Sequence, residues 1–284
     1  MLFKTLKEKQ EYYRSLTDYR LLPNSYVIVM LDGRGFSKKI KNKFRKPFDE
    51  RFVNSMNETA KYLCENISGC KFAYVQSDEI SLVLTDFETP ETSSFFDYRL
   101  SKLLSICASA ATAKFNACML ETKFAESLPI YAPYSAYVEA VGKVFKDNPL
   151  YEFDCKAWNV PTWNDAYGWI LYRQLDCIRN SKQQTAQTYF VHKELVGLNC
   201  DEQIEKLKNE KDVDWESFDD GLKYGRFIIK RAKKFTKPNG EEFERLKFSV
   251  INAFPLNEVS SKNKSRVFLA LATKSDFPRI DLIE

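Results

Sequence analysis

Histidine is almost missing from these 284 residues: His192 is the only one. The seven cysteines (Cys64, Cys70, Cys107, Cys118, Cys155, Cys177 and Cys200) are scattered and form no C-x-x-C pair. A structural zinc needs clustered cysteine and histidine ligands, so none is expected. A strong charge bias is missing too, with Lys+Arg 43 against Asp+Glu 39 and a formal net charge of +4. That balance permits a polyanionic partner without demanding one, since a dedicated duplex binder is usually more basic. No uninterrupted run of about 18 apolar residues appears, and no membrane-spanning helix is expected. There is no internal repeat and no low-complexity tract. The N-terminal stretch MLFKTLKEKQEYYRSL reads as a polar amphipathic helix and not as an apolar secretory segment. With an odd number of cysteines, the expectation is reduced, mostly buried thiols in the cytoplasm, an organelle remaining open.

What the chain does contain is core material: 44% hydrophobic and 14% aromatic residues, enough for globular folding and too much for wholesale disorder. At this length it forms one large domain or a catalytic domain with an appendage. The β-branched run Ser25–Leu31 reads as a buried strand that ends abruptly in Asp32-Gly33-Arg34-Gly35, where glycine opens backbone angles closed to other residues. A basic stretch from Lys38 to Lys46 leads through Pro47 into a helix from about Phe48 to Asn66, with Phe52, Met56, Ala60 and Leu63 at helical spacing. Two strands follow, Lys71–Val75 and Ile80–Leu84, joined by Gln76-Ser77-Asp78-Glu79. A long helix is expected from about Phe95 to Leu120; Pro129 and Pro133 break whatever lies in the 130s and 140s. Tyr151–Val160 reads as a strand and Thr162 to about Tyr189 as a helix. The order β-α-β-β-α-β gives an α/β (α+β) ferredoxin-like antiparallel sheet with helices on one face. This part, residues 1–190, is the expected catalytic domain. Residues 191–284 are more polar and read as an accessory region. In it Asp201–Lys211 is a charged helix, and a β-hairpin runs from Lys223–Lys230 through a turn at Pro238-Asn239-Gly240 to Phe243–Phe254.

In such a sheet the first strand lies beside the strand-turn-strand element, so Asp32 can approach Asp78. Two carboxylates at adjacent strand ends, beside a glycine-rich turn, can hold hard divalent cations, and magnesium takes one or two carboxylates plus substrate phosphates. Two such ions can stabilise both the attacking and the leaving oxygen of an in-line displacement at phosphorus. Asp-Gly and Ser-Asp-Glu also occur in ordinary turns, so it is their combination on these elements that carries weight. Arg34, Lys46, Arg99 and Lys102 are candidate phosphate ligands, although the last two, at i and i+3, equally fit a solvated helix face. The cluster Lys230-Arg231-Ala232-Lys233-Lys234, flanked by Phe227 and Phe235, is either a contact for nucleic-acid phosphates or a solvated strand and turn. Trp158, Trp163 and Trp169 are expected in the core, whereas Trp215 is open to base stacking. The cysteines are apolar fillers, and His192 has no assigned role.

Taken in order, Leu31-Asp32-Gly33-Arg34-Gly35-Phe36, Arg45-Lys46-Pro47-Phe48-Asp49 and Gln76-Ser77-Asp78-Glu79-Ile80-Ser81 resemble the successive motifs of the tRNA-His guanylyltransferase family and its 3′–5′ polymerase relatives. The likeness continues through Phe96-Asp97-Tyr98-Arg99-Leu100-Ser101-Lys102, Phe153-Asp154 and Gln174-Leu175-Asp176-Cys177, covering roughly residues 25 to 190; beyond them only Lys223-Tyr224-Gly225 is similar. The resemblance implies a polymerase-like palm in which Asp32, the Gly33 carbonyl and Asp78 bind two Mg2+ ions, with Glu79 completing the catalytic motif. It further implies that Gly33, Arg34, Gly35, Phe36, Ser37, Lys46, Asp49, Ser77, Arg99 and Lys102 surround the nucleotide and its triphosphate. The implied partners are tRNA and nucleoside triphosphates (ATP, GTP or others), the implied assembly is a homotetramer, and no membrane is involved. The implied chemistry is activation of a tRNA 5′-monophosphate with ATP, then attack on that end by the 3′-hydroxyl of an incoming nucleotide. The lone histidine lies outside the matched region, so metal-assisted deprotonation is the economical reading.

Guanylyltransferases proper carry His-Ile-Asn-Asn after the Asp-Cys pair, where this chain has Ile178-Arg179-Asn180-Ser181. Ser37 likewise stands where many relatives have histidine. These departures favour the template-dependent branch that repairs tRNA 5′ ends, with Asn180, Lys230 and Arg231 as candidate tRNA contacts. Alternatives are a guanylyltransferase proper, a nucleotidyl cyclase or forward polymerase sharing the two-aspartate palm, and a non-catalytic tRNA-binding module.

Overall fold

The β-branched run after Ser25 forms β1 (Tyr26–Gly33), preceded by α1 (Leu6–Ser15), which opens on a capping box between Thr5 and Glu8. The computed structural model describes residues 3–40, 43–89, 91–127, 135, 139, 150–237 and 240–273. Pro129, Pro133 and the Pro238-Asn239 half of the expected turn lie outside them. After β1 come α2 (Phe36–Ile40), α3 (Glu50–Asn66), β2 (Cys70–Gln76), β3 (Glu79–Leu84), α4 (Leu100–Ser127) and β4 (Phe153–Val160). Then follow α5 (Trp163–Tyr189), α6 (His192–Leu195), α7 (Cys200–Lys211), α8 (Asp220–Lys223), β5 (Arg226–Thr236), β6 (Glu242–Asn252) and α9 (Lys264–Ala272).

The strands form one antiparallel sheet in the order β4-β1-β3-β2-β5-β6. Its first four strands have the ferredoxin-like order expected of β-α-β-β-α-β. The two helices of that unit, α3 and α4, lie on one face, where Met56, Ala60, Leu63, Leu103, Cys107 and Phe115 meet Val27, Val29, Leu31 and Leu82. The opposite face, which the sequence reading left bare, is also covered. There Tyr167 and Ile170 of α5 and Phe268 and Leu271 of α9 pack on Ile28, Phe72, Tyr74, Val83 and Phe227. With apolar side chains on both faces, every residue of β3 is buried. The polar C-terminal region is thereby continuous with the sheet, β5 pairing with β2 through Ala73↔Ile228 and Val75↔Arg226.

Two expected boundaries move. Phe95–Tyr98 is a 3₁₀ turn and not the start of α4, because Phe96, Asp97 and Tyr98 adopt positive φ (52°, 52° and 51°). The break is fixed by tertiary pairing: Leu21 donates its amide to the Tyr98 carbonyl at 3.0 Å, and Leu100 donates to Tyr19 at 2.8 Å. The strand expected from Lys223 begins instead at Arg226, since Lys223 closes α8 and Gly225 turns the chain at φ +83°. Helix α4 also qualifies one expectation: Leu100–Glu121 is long and apolar enough to cross a membrane by length and composition. Its stripe of Leu103, Cys107, Ala111 and Phe115 is spent on the sheet. The cysteines are free thiols, five of them buried.

Candidate active site

Asp32 is the next-to-last residue of β1, with Glu79 opposite it on β3 and Asp154 opposite it on β4. The Gly33 amide donates to the Asp78 carbonyl at 3.0 Å, which fastens the glycine-rich turn to the β2–β3 turn. The juxtaposition of Asp32 and Asp78 expected from strand order is therefore present. Ser77 holds a left-handed φ of 45°, and its hydroxyl donates to Asp78 Oδ1 at 3.1 Å. Burial raises the pKa of Asp32, and Asp154 adds to the effect; burial also raises that of Asp78, with Asp32 second. Neither aspartate forms an ion pair among the described residues. Lys156 and Arg173 pull the Asp32 pKa down without overcoming burial, and two partly buried, mutually repelling carboxylates outside any ion pair suit a hard divalent ion. Among the described residues no group of three Cys, His, Asp or Glu joins them to complete a coordination sphere.

Glu79 behaves differently. It is buried, and Arg173 of α5 binds both its oxygens, Nε to Oε1 at 2.7 Å and Nη2 to Oε2 at 2.5 Å. Gln76 adds a bond to Oε2 at 3.2 Å. Burial raises the Glu79 pKa against the pull of Arg173. Its carboxylate is thus committed to holding α5 against the β2–β3 turn. Arg173 was missed by sequence reasoning; its one signal is a place three residues before Asp176, whose Oδ2 it also meets at 3.0 Å. Asp176 in turn accepts from Arg179 and, at 3.3 Å, from Asn180.

The glycine-rich turn is built around Phe36. That ring is buried among Phe52, Phe115, Tyr151 and Phe153, so it anchors the loop and is not offered to a ligand. A Cβ on Gly33 would come within 2.6 Å of the ring, and Gly35 stands at φ +65°. Arg34 is exposed, its amide bonded to the Glu152 carbonyl at 2.8 Å and its guanidinium 3.6 Å from the Glu152 carboxylate. Ser37 is exposed in the first turn of α2, where backbone amides lack intrahelical acceptors.

Beside Ser77 a pocket opens between α3 and α5, lined in part by Phe44, Pro47, Phe48, Asp49, Asn180 and Arg226. Lys46 is exposed next to it. Asp49 caps α3 and is gripped by the Arg45 amide at 2.8 Å and by Arg51 through Nε at 3.0 Å and Nη2 at 2.8 Å. Burial opposes its ionisation, but these donors outweigh it and hold the pKa below the ordinary value. Gln184 of α5 donates to the Pro47 carbonyl, closing the pocket wall.

Arg99 and Lys102 are not brought to this end of the sheet. Arg99 pairs with Asp18 at 2.7 Å and bridges to Arg20. Neighbouring Leu22 bonds to Asn159, which stands opposite Val27 at the start of β1. Val27 and Asp32 are five residues, about 17 Å, apart along the strand. Lys230 and Arg231 also part company, as neighbours on β5 point to opposite faces. Trp215 is no stacking platform: it is 2% exposed, and its indole N–H donates to Ser181 Oγ at 2.9 Å.

Comparison with known proteins gives one consistent answer. The model of the family described as tRNAHis guanylyltransferase matches residues 7–161. An uncharacterized protein of Acanthamoeba polyphaga mimivirus is 28% identical over 237 residues, 80% of this chain and 77% of that one. The tRNA(His) guanylyltransferase of Neurospora crassa is 31% identical over 166 residues, 58% of this chain and 49% of that one, so the chain spans about half the length of that relative. Among solved structures, a bacterial tRNA(His) guanylyltransferase-like protein in complex with ATP has a TM-score of 0.75 at 31% identity, covering 95% of this chain and 100% of that one. Its counterpart in complex with GTP has a TM-score of 0.71 at 28% identity, covering 94% and 99%.

Proposed function

The chain belongs to the tRNAHis guanylyltransferase family, a family of nucleotidyltransferases, and from that premise we propose that it adds nucleotides to the 5′ end of tRNA in the 3′–5′ direction. The observation that carries the reading is the pair Asp32 and Asp78, held together by the Gly33 amide and in no ion pair among the described residues. Asp32, Asp78 and the Gly33 carbonyl would hold two Mg2+ ions, with substrate phosphates and water as the remaining ligands. Bound there, the ions would supply neutralisation of charge at phosphorus and easier deprotonation of the attacking hydroxyl.

The protein's own groups position the reactants. Arg34, Lys46, the Ser77 hydroxyl and the amides of Gly35, Phe36 and Ser37 receive the triphosphate, while the pocket beside Ser77 and Asp49 takes the rest of the nucleotide. In the first transfer, a 5′-phosphate oxygen of tRNA attacks the α-phosphorus of ATP and pyrophosphate leaves. In the second, the 3′-hydroxyl of the incoming nucleotide attacks the activated 5′ phosphorus and AMP leaves. Glu79 contributes by holding α5 and the Asp78 turn in place through Arg173. Residues 1–190 act as the palm and residues 191–284 as its accessory region. The assembly is a homotetramer in which one tRNA is engaged by more than one subunit; Arg99 and Lys102, expected at the triphosphate, lie at the far end of the sheet from this site.

Template-dependent repair is the favoured branch. In the segment that replaces His-Ile-Asn-Asn, Arg179 and Asn180 are tied to Asp176, and Ser181 accepts the bond from Trp215. That leaves no imidazole to single out one tRNA. The test is a panel of 5′-monophosphorylated tRNAs lacking their first nucleotide, with each of the four bases opposite the gap. Templated repair predicts addition of the complementary nucleotide in every case. Efficient addition of an unpaired guanosine to tRNA-His alone would instead establish a guanylyltransferase proper.

A further inference from the structure

The distal half of the β5–β6 hairpin carries a ladder of cations on one face. Register places Arg231 opposite Lys247 and Lys233 opposite Arg245, followed by Phe235 opposite Phe243. Residues directly opposite in an antiparallel pair share a face, and this one continues from Phe227 and Ile229, which pack under α5 and α9. Like charges directly opposite each other destabilise a sheet, yet here two such pairs are stacked. None of the four cations forms an ion pair among the described residues. The next acid on this face, Glu241, is paired with Lys237 at 2.9 Å. The two phenylalanine rings are stacked at 5.7 Å with 24° between planes, and Arg245 lies 5.0 Å over Phe243. The other face is ordinary: Lys230 lies over Phe248 at 5.3 Å, and Lys234 faces Glu244.

We infer that Arg231, Lys233, Arg245 and Lys247 form a track for the phosphate backbone of the RNA substrate, ending on the Phe235–Phe243 pair as a platform for a base. The inference rests on the proposed action on tRNA and adds to it the surface that receives the body of the molecule. Rows of cations beside aromatic rings are how proteins hold RNA backbone and stack bases without reading sequence. The ladder occupies the same face of the sheet as Asp32 and Glu79, since Glu79 meets α5 on that side. From Arg226, beside Val75, to Lys233 is seven residues, about 23 Å along the strand. The track therefore grips the substrate well away from the 5′ end. It sets affinity and orientation, not the chemical step.

The experiment compares wild type, a Lys233→Ala/Arg245→Ala double variant and a Lys234→Ala control on the opposite face. Readouts are tRNA binding across a salt series and the kcat and KM of nucleotide addition. The double variant is expected to weaken tRNA binding and raise KM about tenfold, to lower the salt slope by about two, and to leave kcat unchanged. Lys234→Ala is expected to match wild type. Loss of like-charge repulsion should leave the double variant at least as thermally stable as wild type, which separates lost binding from lost folding. If wild type binds and extends tRNA while the double variant does so equally well, the track is overturned and the proposed function stands. If wild type binds no tRNA, both fall.

Discussion

At the scale of single residues, the two aspartates were legible because strand order alone brings the end of β1 beside the β2–β3 turn. Their neighbour Glu79, expected in the catalytic motif, is held by Arg173, 94 residues away, and nothing local announces that partner. The distinction has measurable consequences. Asp78→Asn removes one of two like charges that burial already penalises, so the metal-free variant should melt at or above the wild-type temperature while nucleotide addition falls at least a thousandfold. Mg2+ at about ten times its dissociation constant should raise the wild-type melting temperature by about 3 °C and that of the variant by much less. Arg173→Met should behave in the opposite way. It strands a buried carboxylate and should cost about 3–5 kcal/mol in urea denaturation, most of it recovered in the Glu79→Gln/Arg173→Met double variant.

At the scale of elements, periodicity located the strands and long helices, and it failed where distant backbone intervened. The start of α4 is displaced because residues 19–21 pair with the Phe96–Leu100 segment, a contact no helical spacing can report. The Gln174 and Tyr224-Gly225 segments look unrelated in sequence but form one joint. Gln174 donates to the Tyr224 and Phe254 carbonyls at 3.1 and 3.0 Å and accepts from the Leu256 amide at 2.7 Å. Gln174→Ala should therefore loosen the C-terminal region from α5 and cost about 2 kcal/mol or more, read by chemical denaturation. Gly33→Ala is expected to displace the Phe36 ring, since the added Cβ has only 2.6 Å of room. Its signature is lost activity together with a lower melting temperature.

For the whole molecule, the mild net charge concealed how unevenly charge is placed. A cluster contiguous in sequence at Lys230–Lys234 divides between two faces of β5, and only the face shared with Arg245 and Lys247 becomes a ladder. The β-α-β-β-α-β order was sufficient for the palm, while the covering of its second face by α5 and α9 depends on helices outside that unit. What unites the molecule is a sheet with repelling carboxylates at one end of a face and, at the other, cations that form no ion pair among the described residues. An RNA 5′ end with divalent ions would neutralise the first, and its phosphate backbone the second.

The central claim is that Asp32 and Asp78 direct nucleotide addition to a tRNA 5′ end. The most direct test incubates wild type and Asp78→Asn with Mg2+, the four nucleoside triphosphates and a 5′-monophosphorylated tRNA lacking its first nucleotide. Products are resolved at single-nucleotide resolution. The account predicts that wild type restores the missing nucleotide and that the variant, still folded and still binding tRNA, restores none. A wild type that binds this tRNA but never lengthens it, or a variant that extends it as well as wild type, would contradict the account.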